Sequence, residues 1–351
     1  MLWEDKLRGL IQKACYLVGS TWSPLPNNIY LIVNSVCNAR CLMCDIGQKK
    51  ETTFYNIMTK NKEMSMDLIE KTIKDFYWKP KIRITSTEPL LYSKIEDAIK
   101  LYKKSNFFVS ITTNGILLDK YIEAVTQWVD ELVISIDGPP DVNDKIRGIK
   151  SSQKILETIK RLRETRSEKP RIGINTVIMP VNQDHIYDTL KYYRDLADFH
   201  VLSHMNYVSE SCSRKHNELF PQYPMTPSAI FGISPSDIDV NKLNRELERA
   251  LGDFDFILIP RIYDKISLST YYKEPEKPIK QDQKCQIPWR AAQITPNGDV
   301  LISTRCFDIS MGNIREKSFL EIWNGEKLRK FRKDLLQYKY FLVCNRCCGV
   351  F

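Results

Sequence analysis

The sequence predicts an α/β fold in which parallel strands are joined by helical crossovers, and three observations predict it. Strand-like apolar runs alternate with helix-like periodic segments six times between residues 28 and 208. The first run, Ile29-Tyr30-Leu31-Ile32-Val33, is continuously apolar, as a buried strand requires. Residues able to do chemistry follow directly after these runs, where parallel sheets collect their ligands. Six βα units are too few for a full eight-fold barrel.

Taken in order, residues 1–27 hold one helix and a linker. Over residues 3–18, Trp3, Leu7, Leu10, Ile11, Ala14, Leu17 and Val18 share one side, with Lys6, Arg8 and Lys13 elsewhere. Packing of that stripe against the end of the body is the plainer expectation. The sharper one is a helix lying on a membrane surface and presenting a lipid-linked substrate. Pro24 and Pro26 end the segment.

The six units occupy residues 28–208. Later strands are expected at 81–86, 107–112, 131–136, 171–178 and 200–207. The helices between them fall at 65–78, 94–104, 118–128, 151–166 and 184–197, the first capped by Ser65. Residues 48–63 are polar and lysine-rich and read as a mobile loop over the site. Residues 209–284, rich in proline, serine and charge, read as a linker or substrate-specific insertion, with a helix near 240–252 and a strand over 254–259. From 285 to 351, short β signals and the turn Pro296-Asn297-Gly298-Asp299 suggest a small α+β module.

Composition narrows the class. With 43% hydrophobic and 27% charged residues, the chain of 351 residues suits a globular protein with one large and one smaller domain. Ten cysteines without a basic leader and apolar core point to a reducing, cytoplasmic setting and to metal ligation, not disulfides. No apolar run approaches the roughly 18 residues that span a bilayer. The formal charge of +9 reads as a solvated basic surface, and nucleic acid is not an expected partner.

Cys37, Cys41 and Cys44 lie within eight residues, just after the first strand. Three such thiolates could hold zinc or iron–sulfur. A structural zinc needs a fourth ligand, yet the next histidine is His185 and the next cysteine Cys212. A cube held by three cysteines instead keeps one iron open to a small molecule.

This C-x3-C-x2-C loop resembles that of the radical SAM superfamily. The resemblance implies an open, partial (β/α)6 TIM-like barrel. It also implies a 4Fe-4S cluster whose open iron binds S-adenosylmethionine and cleaves it reductively to a 5′-deoxyadenosyl radical. Ser86-Thr87-Glu88-Pro89 is similar to the family's Gly-Gly-Glu-Pro with both glycines replaced, and matches Glu88 to the carboxylate that receives the methionyl ammonium. Thr113-Asn114-Gly115 resembles the Thr-Asn-Gly that often closes the third strand, and Met43 matches a position packing near adenine. Ser135-Ile136-Asp137-Gly138 with Arg147-Gly148 resembles a pattern in which the serine approaches the cofactor ribose and the arginine its carboxylate. Asn175 is a further ribose-contact candidate, with an internal hydrogen bond the equal alternative, and Asp137 reads as a turn-shaping residue.

The tail carries Cys285, Ile294-Thr295-Pro296-Asn297-Gly298-Asp299-Val300, Cys306, Gly312-Asn313-Ile314, Glu321-Ile322-Trp323-Asn324 and Cys344-Asn345-Arg346-Cys347-Cys348. This succession resembles the SPASM/twitch extension. It matches Cys285, Cys306, Cys344 and Cys347 to the ligands of one auxiliary 4Fe-4S cluster; a zinc ribbon is the alternative. With only Cys348 left over, the shorter twitch form is the better match. Cys15 and Cys212 have no partners in sequence.

The resemblance implies a radical SAM oxidoreductase that takes electrons from a flavodoxin- or ferredoxin-type donor. About 30 residues precede the first strand, fewer than a peptide-recognition domain needs, so the expected substrate is a small polyol, sugar or aminocyclitol, or a lipid-linked form. Dehydrogenation would pass an electron to the auxiliary cluster; epimerisation would need a hydrogen donor, for which Cys212 is a candidate. A peptide maturase forming a cross-link or epimer is the alternative within the class. A non-catalytic iron–sulfur or zinc protein binding RNA or a partner is the alternative outside it.

Overall fold

Runs with wholly buried apolar residues become strands in the computed structural model, which describes residues 2–59, 63–166, 168–258, 262–280, 283–303 and 305–347. They are β1 (Asn28–Leu31), β2 (Lys81–Ile84), β3 (Val109–Thr113), β4 (Glu131–Ser135), β5 (Arg171–Ile178) and β6 (Phe199–His204). Three more follow: β7 (Ile257–Leu258), β8 (Ala291–Ile294) and β9 (Val300–Leu301). Among the described residues they form one sheet in the order β7-β6-β5-β4-β3-β2-β1-β8-β9. Every neighbouring pair is parallel except β8 and β9. The register places Leu31 beside Ile84, Ile84 beside Ile111 and Ile111 beside Leu132, all fully buried.

The expected crossover helices are present as Met66–Asp75, Ile95–Lys104, Ile122–Trp128, Ser152–Thr165 and Ile186–Tyr193. Ser65 caps the first, its hydroxyl accepting from the Leu68 N–H at 3.4 Å. Such crossovers force the strands parallel, so their C-terminal ends all open on one edge.

Three expectations need correction. The stretch 48–63 is not a plain loop: Thr53–Thr59 is helical and buries Phe54, Ile57 and Met58 in a cluster with Ile32 and Leu301. That i, i+3, i+4 spacing was hidden among lysines; residues 60–62 lie outside the described residues. The segment 209–284 is more ordered than a linker, with helices Glu210–Leu219, Val240–Asp253 and Lys265–Lys273. Of its expected strand only Ile257–Leu258 pairs, extending the sheet beside β6; Ile259 lies outside the described residues. Third, the N-terminal helix, Leu2–Leu17, does not pack its apolar stripe on the body. It seats Gln12 and Tyr16 instead, and Trp3, Leu7, Leu10, Ile11, Leu17 and Val18 are exposed.

The C-terminal module is built onto the sheet. β8 runs parallel to β1, Asn28 beside Ala291 and Leu31 beside Ile294. Trp289 and Trp323 are fully buried, and the guanidinium of buried Arg332 lies 4.6 Å from the Trp323 ring. Arg332 donates to the carbonyls of Pro288 (3.0 Å) and Thr21 (2.9 Å) and to Asn324 Oδ1 (2.9 Å), locking the module to the N-terminal linker. Burial pulls its pKa down to about 9.

Candidate active site

The cysteine loop leaves β1 and is tied on both sides. The Asn34 side-chain amide donates to the Glu88 carbonyl at 2.8 Å. The N–H groups of Arg40 and Leu42 donate to the carbonyls of Arg147 (2.9 Å) and Ile146 (3.0 Å), at the end of helix Pro140–Arg147. Gly148 permits this approach: its φ is +67°, and a Cβ there would lie 2.8 Å from the Arg40 carbonyl oxygen. Buried Asp45 accepts from Thr52 Oγ1 at 2.9 Å and from the Ala229 N–H at 2.7 Å, anchoring the loop to the 209–284 segment.

Cys41 is buried, Cys44 half-buried and Cys37 exposed. Burial pushes the Cys41 thiol up to about 11, against the pull of Arg147. Without metal this thiol is therefore neutral, and metal binding displaces its proton.

Glu88, in the turn that follows β2 and capping Pro89–Leu91, is almost wholly buried. Its Oε1 accepts from the Leu90 N–H (3.0 Å) and Thr113 Oγ1 (2.7 Å), and its Oε2 from the Asn114 N–H (2.8 Å). Burial raises its pKa while these donors oppose the rise. Ser86, where a family glycine would stand, has φ +103°, a conformation glycine adopts freely and serine does not. Its hydroxyl accepts from Gln293 Nε2 at 2.9 Å.

Asn114 bridges the third strand to the cysteine loop, donating to Asn38 Oδ1 at 2.7 Å. Asn175 Oδ1 accepts from Ser203 Oγ at 3.1 Å. Arg147 pairs with Asp137, Nη2 to Oδ2 at 2.6 Å, and its Nη1 donates to Cys41 Sγ at 3.6 Å. Asp137 also accepts from the Val177 N–H at 2.8 Å, so it is more than a turn residue.

All six cofactor-contact candidates, Met43, Glu88, Asn114, Ser135, Arg147 and Asn175, line one open cavity of about 270 Å³ together with Cys37, Cys41 and Cys44. That volume lies near the lower end of small-ligand sites. Cys212 does not line it. It is buried on helix Glu210–Leu219, where its Sγ donates to the Pro275 carbonyl at 3.2 Å.

Two wall residues escaped sequence reasoning. Phe54 comes from the unexpected helix 53–59, and Arg305 directly precedes Cys306. The Arg305 guanidinium lies 4.0 Å from the Phe54 ring, and its Nη1 is buried without a hydrogen-bond partner among the described residues. Both also line a second, much smaller cavity of about 20 Å³ that reaches Cys306 and Cys347.

Of the tail cysteines, Cys306 and Cys347 line it, and Cys344 and Cys285 lie near Cys306. Cys306 is half-buried, and its thiol is raised by desolvation and by the nearby Cys344 and Cys285. Burial lifts Cys344 to about 11. The turn Leu342–Arg346 carries Cys344 and leads into Cys347. It is fastened by Arg346, which donates to the carbonyls of Thr270 (2.6 Å), Tyr271 (2.6 Å) and Glu274 (2.6 Å) around the end of helix Lys265–Lys273. Cys348 lies outside the described residues. Among the described residues no three Cys, His, Asp or Glu side chains sit close enough to share one metal ion. A cube asks for a wider set, since each thiolate takes its own iron corner.

Three cysteines line the open cavity, and Cys306 and Cys347 line the smaller one beside it. Residues 31–193 match the radical SAM superfamily, and residues 285–348 match the SPASM iron-sulfur cluster-binding domain. The chain belongs to the radical SAM superfamily and carries a SPASM domain. Its cofactors are S-adenosylmethionine, the 4Fe-4S cluster that binds it, and an auxiliary 4Fe-4S cluster.

Among similar proteins, the tungsten-containing aldehyde ferredoxin oxidoreductase cofactor-modifying protein of Pyrococcus furiosus is 24% identical over 349 residues, covering 91% of this chain and 86% of the relative. The FeMo cofactor biosynthesis protein NifB of Methanocaldococcus infernus is 24% identical, covering 71% and 86%. GTP 3′,8-cyclase of Aquifex aeolicus is 27% identical, covering 46% of this chain and 51% of the relative. In fold, the chain is similar to Streptococcus suis SuiB bound to its precursor peptide, with a TM-score of 0.65 and 15% identity over 97% of this chain and 74% of that one. It is also similar to anSMEcpe with bound AdoMet, with a TM-score of 0.60 and 16% identity over 92% and 88%.

Proposed function

We propose that this radical SAM enzyme oxidises a small polar substrate, a polyol, sugar or aminocyclitol, at a carbon bearing a hydroxyl or amine. Cys37, Cys41 and Cys44 hold the first cluster, and Cys285, Cys306, Cys344 and Cys347 the auxiliary one. When bound, the first cluster and S-adenosylmethionine supply the 5′-deoxyadenosyl radical that removes the substrate hydrogen. Around them, Glu88 presents a buried carboxylate edge to the methionyl ammonium. Arg147 braces Cys41, while Ser135 and Asn175 face the ribose.

The observation that carries the reading is the shared wall: Phe54 and Arg305 border both the cavity of the first cysteines and the cavity at Cys306 and Cys347. A substrate against that wall lies between the two sites. Four cysteines would close the auxiliary shell, suiting it to accept an electron and not to ligate substrate. The substrate would lose one hydrogen atom to 5′-deoxyadenosine, one proton to solvent and one electron to the auxiliary cluster; that electron would pass to a flavodoxin- or ferredoxin-type carrier, which supplies the one the first site consumes, so that S-adenosylmethionine is the net oxidant.

A second reading is favoured by Arg305, whose buried, unpartnered nitrogen suits an anionic group, and by the relative matched along nearly the whole chain, described as modifying a cofactor. Under it the substrate is a phosphorylated organic cofactor or its precursor. Anaerobically reconstituted protein incubated with S-adenosylmethionine and panels of sugars, aminocyclitols, phosphorylated pterins and leader peptides separates these readings. A product two hydrogens lighter from the first two panels supports oxidation. Turnover only of pterins or peptides rejects it.

A further inference from the structure

The N-terminal helix is seated the wrong way round for a helix that merely stabilises the body. Its polar side faces inward: Gln12, fully buried, donates to the Leu25 carbonyl at 2.9 Å, and Arg8 reaches the Trp78 carbonyl at 3.4 Å. Tyr16 packs edge-on against Trp289, ring centroids 5.0 Å apart. The opposite side is the most apolar stripe of the helix and faces solvent. Trp3 is 71% exposed, Leu10 65%, Leu17 62% and Val18 79%, with Leu7 and Ile11 beside them. Trp22, also exposed, follows just beyond the helix. One wholly apolar exposed face beside a polar seated one is the pattern of a helix that lies at an interface.

We propose that helix Leu2–Leu17 docks this protein on the surface of an anionic lipid bilayer, lying in the interfacial plane with its apolar stripe among the acyl chains. A lying helix of this type needs an apolar face, aromatic residues at its ends and cations along its border. Trp3 stands at the start of the stripe, exposed Trp22 follows in the chain after the helix, and exposed Lys6 and Lys13 run along one side of the stripe. More positive charge stands nearby. Arg329, Lys330 and Lys333 are exposed on helix Glu326–Tyr338, whose Arg332 reaches the chain after the first helix at Thr21. The chain as a whole carries a formal +9.

Size separates a membrane from a second copy of the chain. Sixteen residues make a helix about 24 Å long, so a stripe about 10 Å wide covers roughly 250 Å². A stable dimer buries about 800 Å² on each partner. A bilayer sets no such threshold, because each inserted side chain adds its own transfer free energy. No helix among the described residues is long and apolar enough to cross a membrane, so this one would lie on it.

Co-sedimentation of the reconstituted holoenzyme with vesicles of phosphatidylcholine mixed with phosphatidylglycerol tests the proposal. Pure phosphatidylcholine vesicles serve as the comparison. The wild type should pellet with the anionic vesicles at low salt and release as salt rises. The double variant Leu10→Glu/Leu17→Glu should bind at least about tenfold more weakly, and Lys6→Glu/Lys13→Glu should lose the preference for anionic lipid. Both sites are exposed, and unchanged 5′-deoxyadenosine formation reports that the variants are folded. Wild-type protein that stays in solution, or that pellets equally with the leucine variant, overturns the proposal. So does a dimer in light scattering that Leu10→Glu/Leu17→Glu splits without any vesicle binding, which would assign the stripe to a second copy.

Discussion

Arg147 and Asp137 form a buried ion pair at 2.6 Å, and the same guanidinium donates to Cys41 Sγ at 3.6 Å. Cys41, the middle cysteine of the loop, is thus braced by a charge whose own partner is fixed to the β5 backbone at Val177. Removing one member of a buried pair leaves the other uncompensated. Arg147→Met is expected to lower the stability of the apoprotein by about 3–5 kcal/mol, and Arg147→Lys by less, read by urea denaturation. Equal stability of Arg147→Met and wild type would refute the brace.

At Ser86 the backbone, not the side chain, accounts for the glycine it replaces. Ser86→Gly and Ser86→Ala both lose the bond from Gln293, but only glycine relaxes at φ +103°. The glycine variant is expected to be more stable than the alanine variant by about 1 kcal/mol. Denaturation midpoints of the two proteins measure the difference.

Two histidines give the fold an acid limit. His204 donates from Nε2 to the Ile262 carbonyl at 2.7 Å and sits 2.8 Å from the Tyr272 hydroxyl; burial pulls its pKa down to about 4. Burial holds His200 at about 3. The unfolded chain takes up protons below about pH 6.5 while the folded chain does not, so stability falls as pH drops from there to the folded values. For His204 alone the loss is on the order of 3 kcal/mol. His204→Gln should flatten the stability–pH curve between pH 6.5 and 4 relative to wild type, and an unchanged slope would reject this assignment.

The two centres should separate functionally. Cys344→Ala is expected to retain S-adenosylmethionine cleavage and lose substrate turnover, both read by chromatography of anaerobic reactions. Unaltered turnover would remove the auxiliary role. Cys212→Ser should leave the product unchanged, because the thiol is buried against Pro275 and does not line the cavity.

Much of the site was legible because it is local in sequence. Three cysteines on one loop, Ser135 at the end of β4 and Asn114 just past β3 are placed by parallel topology, with Glu88 in the turn after β2 and Asn175 within β5. What was not legible depends on long-range packing. Phe54 and Arg305 meet only because helix 53–59 folds under the cluster loop, and Asp45 finds Ala229 across 184 residues. The pairing of β8 with β1 joins segments more than 250 residues apart, beyond the reach of any local pattern. The first helix was read correctly as amphipathic, but periodicity cannot tell which side meets the protein; Gln12 and Arg8 decided that through bonds to distant carbonyls.

The central claim is that Cys37, Cys41 and Cys44 hold a cube with one iron left for S-adenosylmethionine. Electron paramagnetic resonance of the anaerobically reconstituted, reduced protein, with iron and sulfide counted, tests it most directly. The account predicts about eight irons per chain, a reduced-cluster spectrum that changes when S-adenosylmethionine is added, and loss of that change in Cys41→Ala together with loss of 5′-deoxyadenosine. A spectrum indifferent to the cofactor, or 5′-deoxyadenosine still formed by Cys41→Ala, would contradict it.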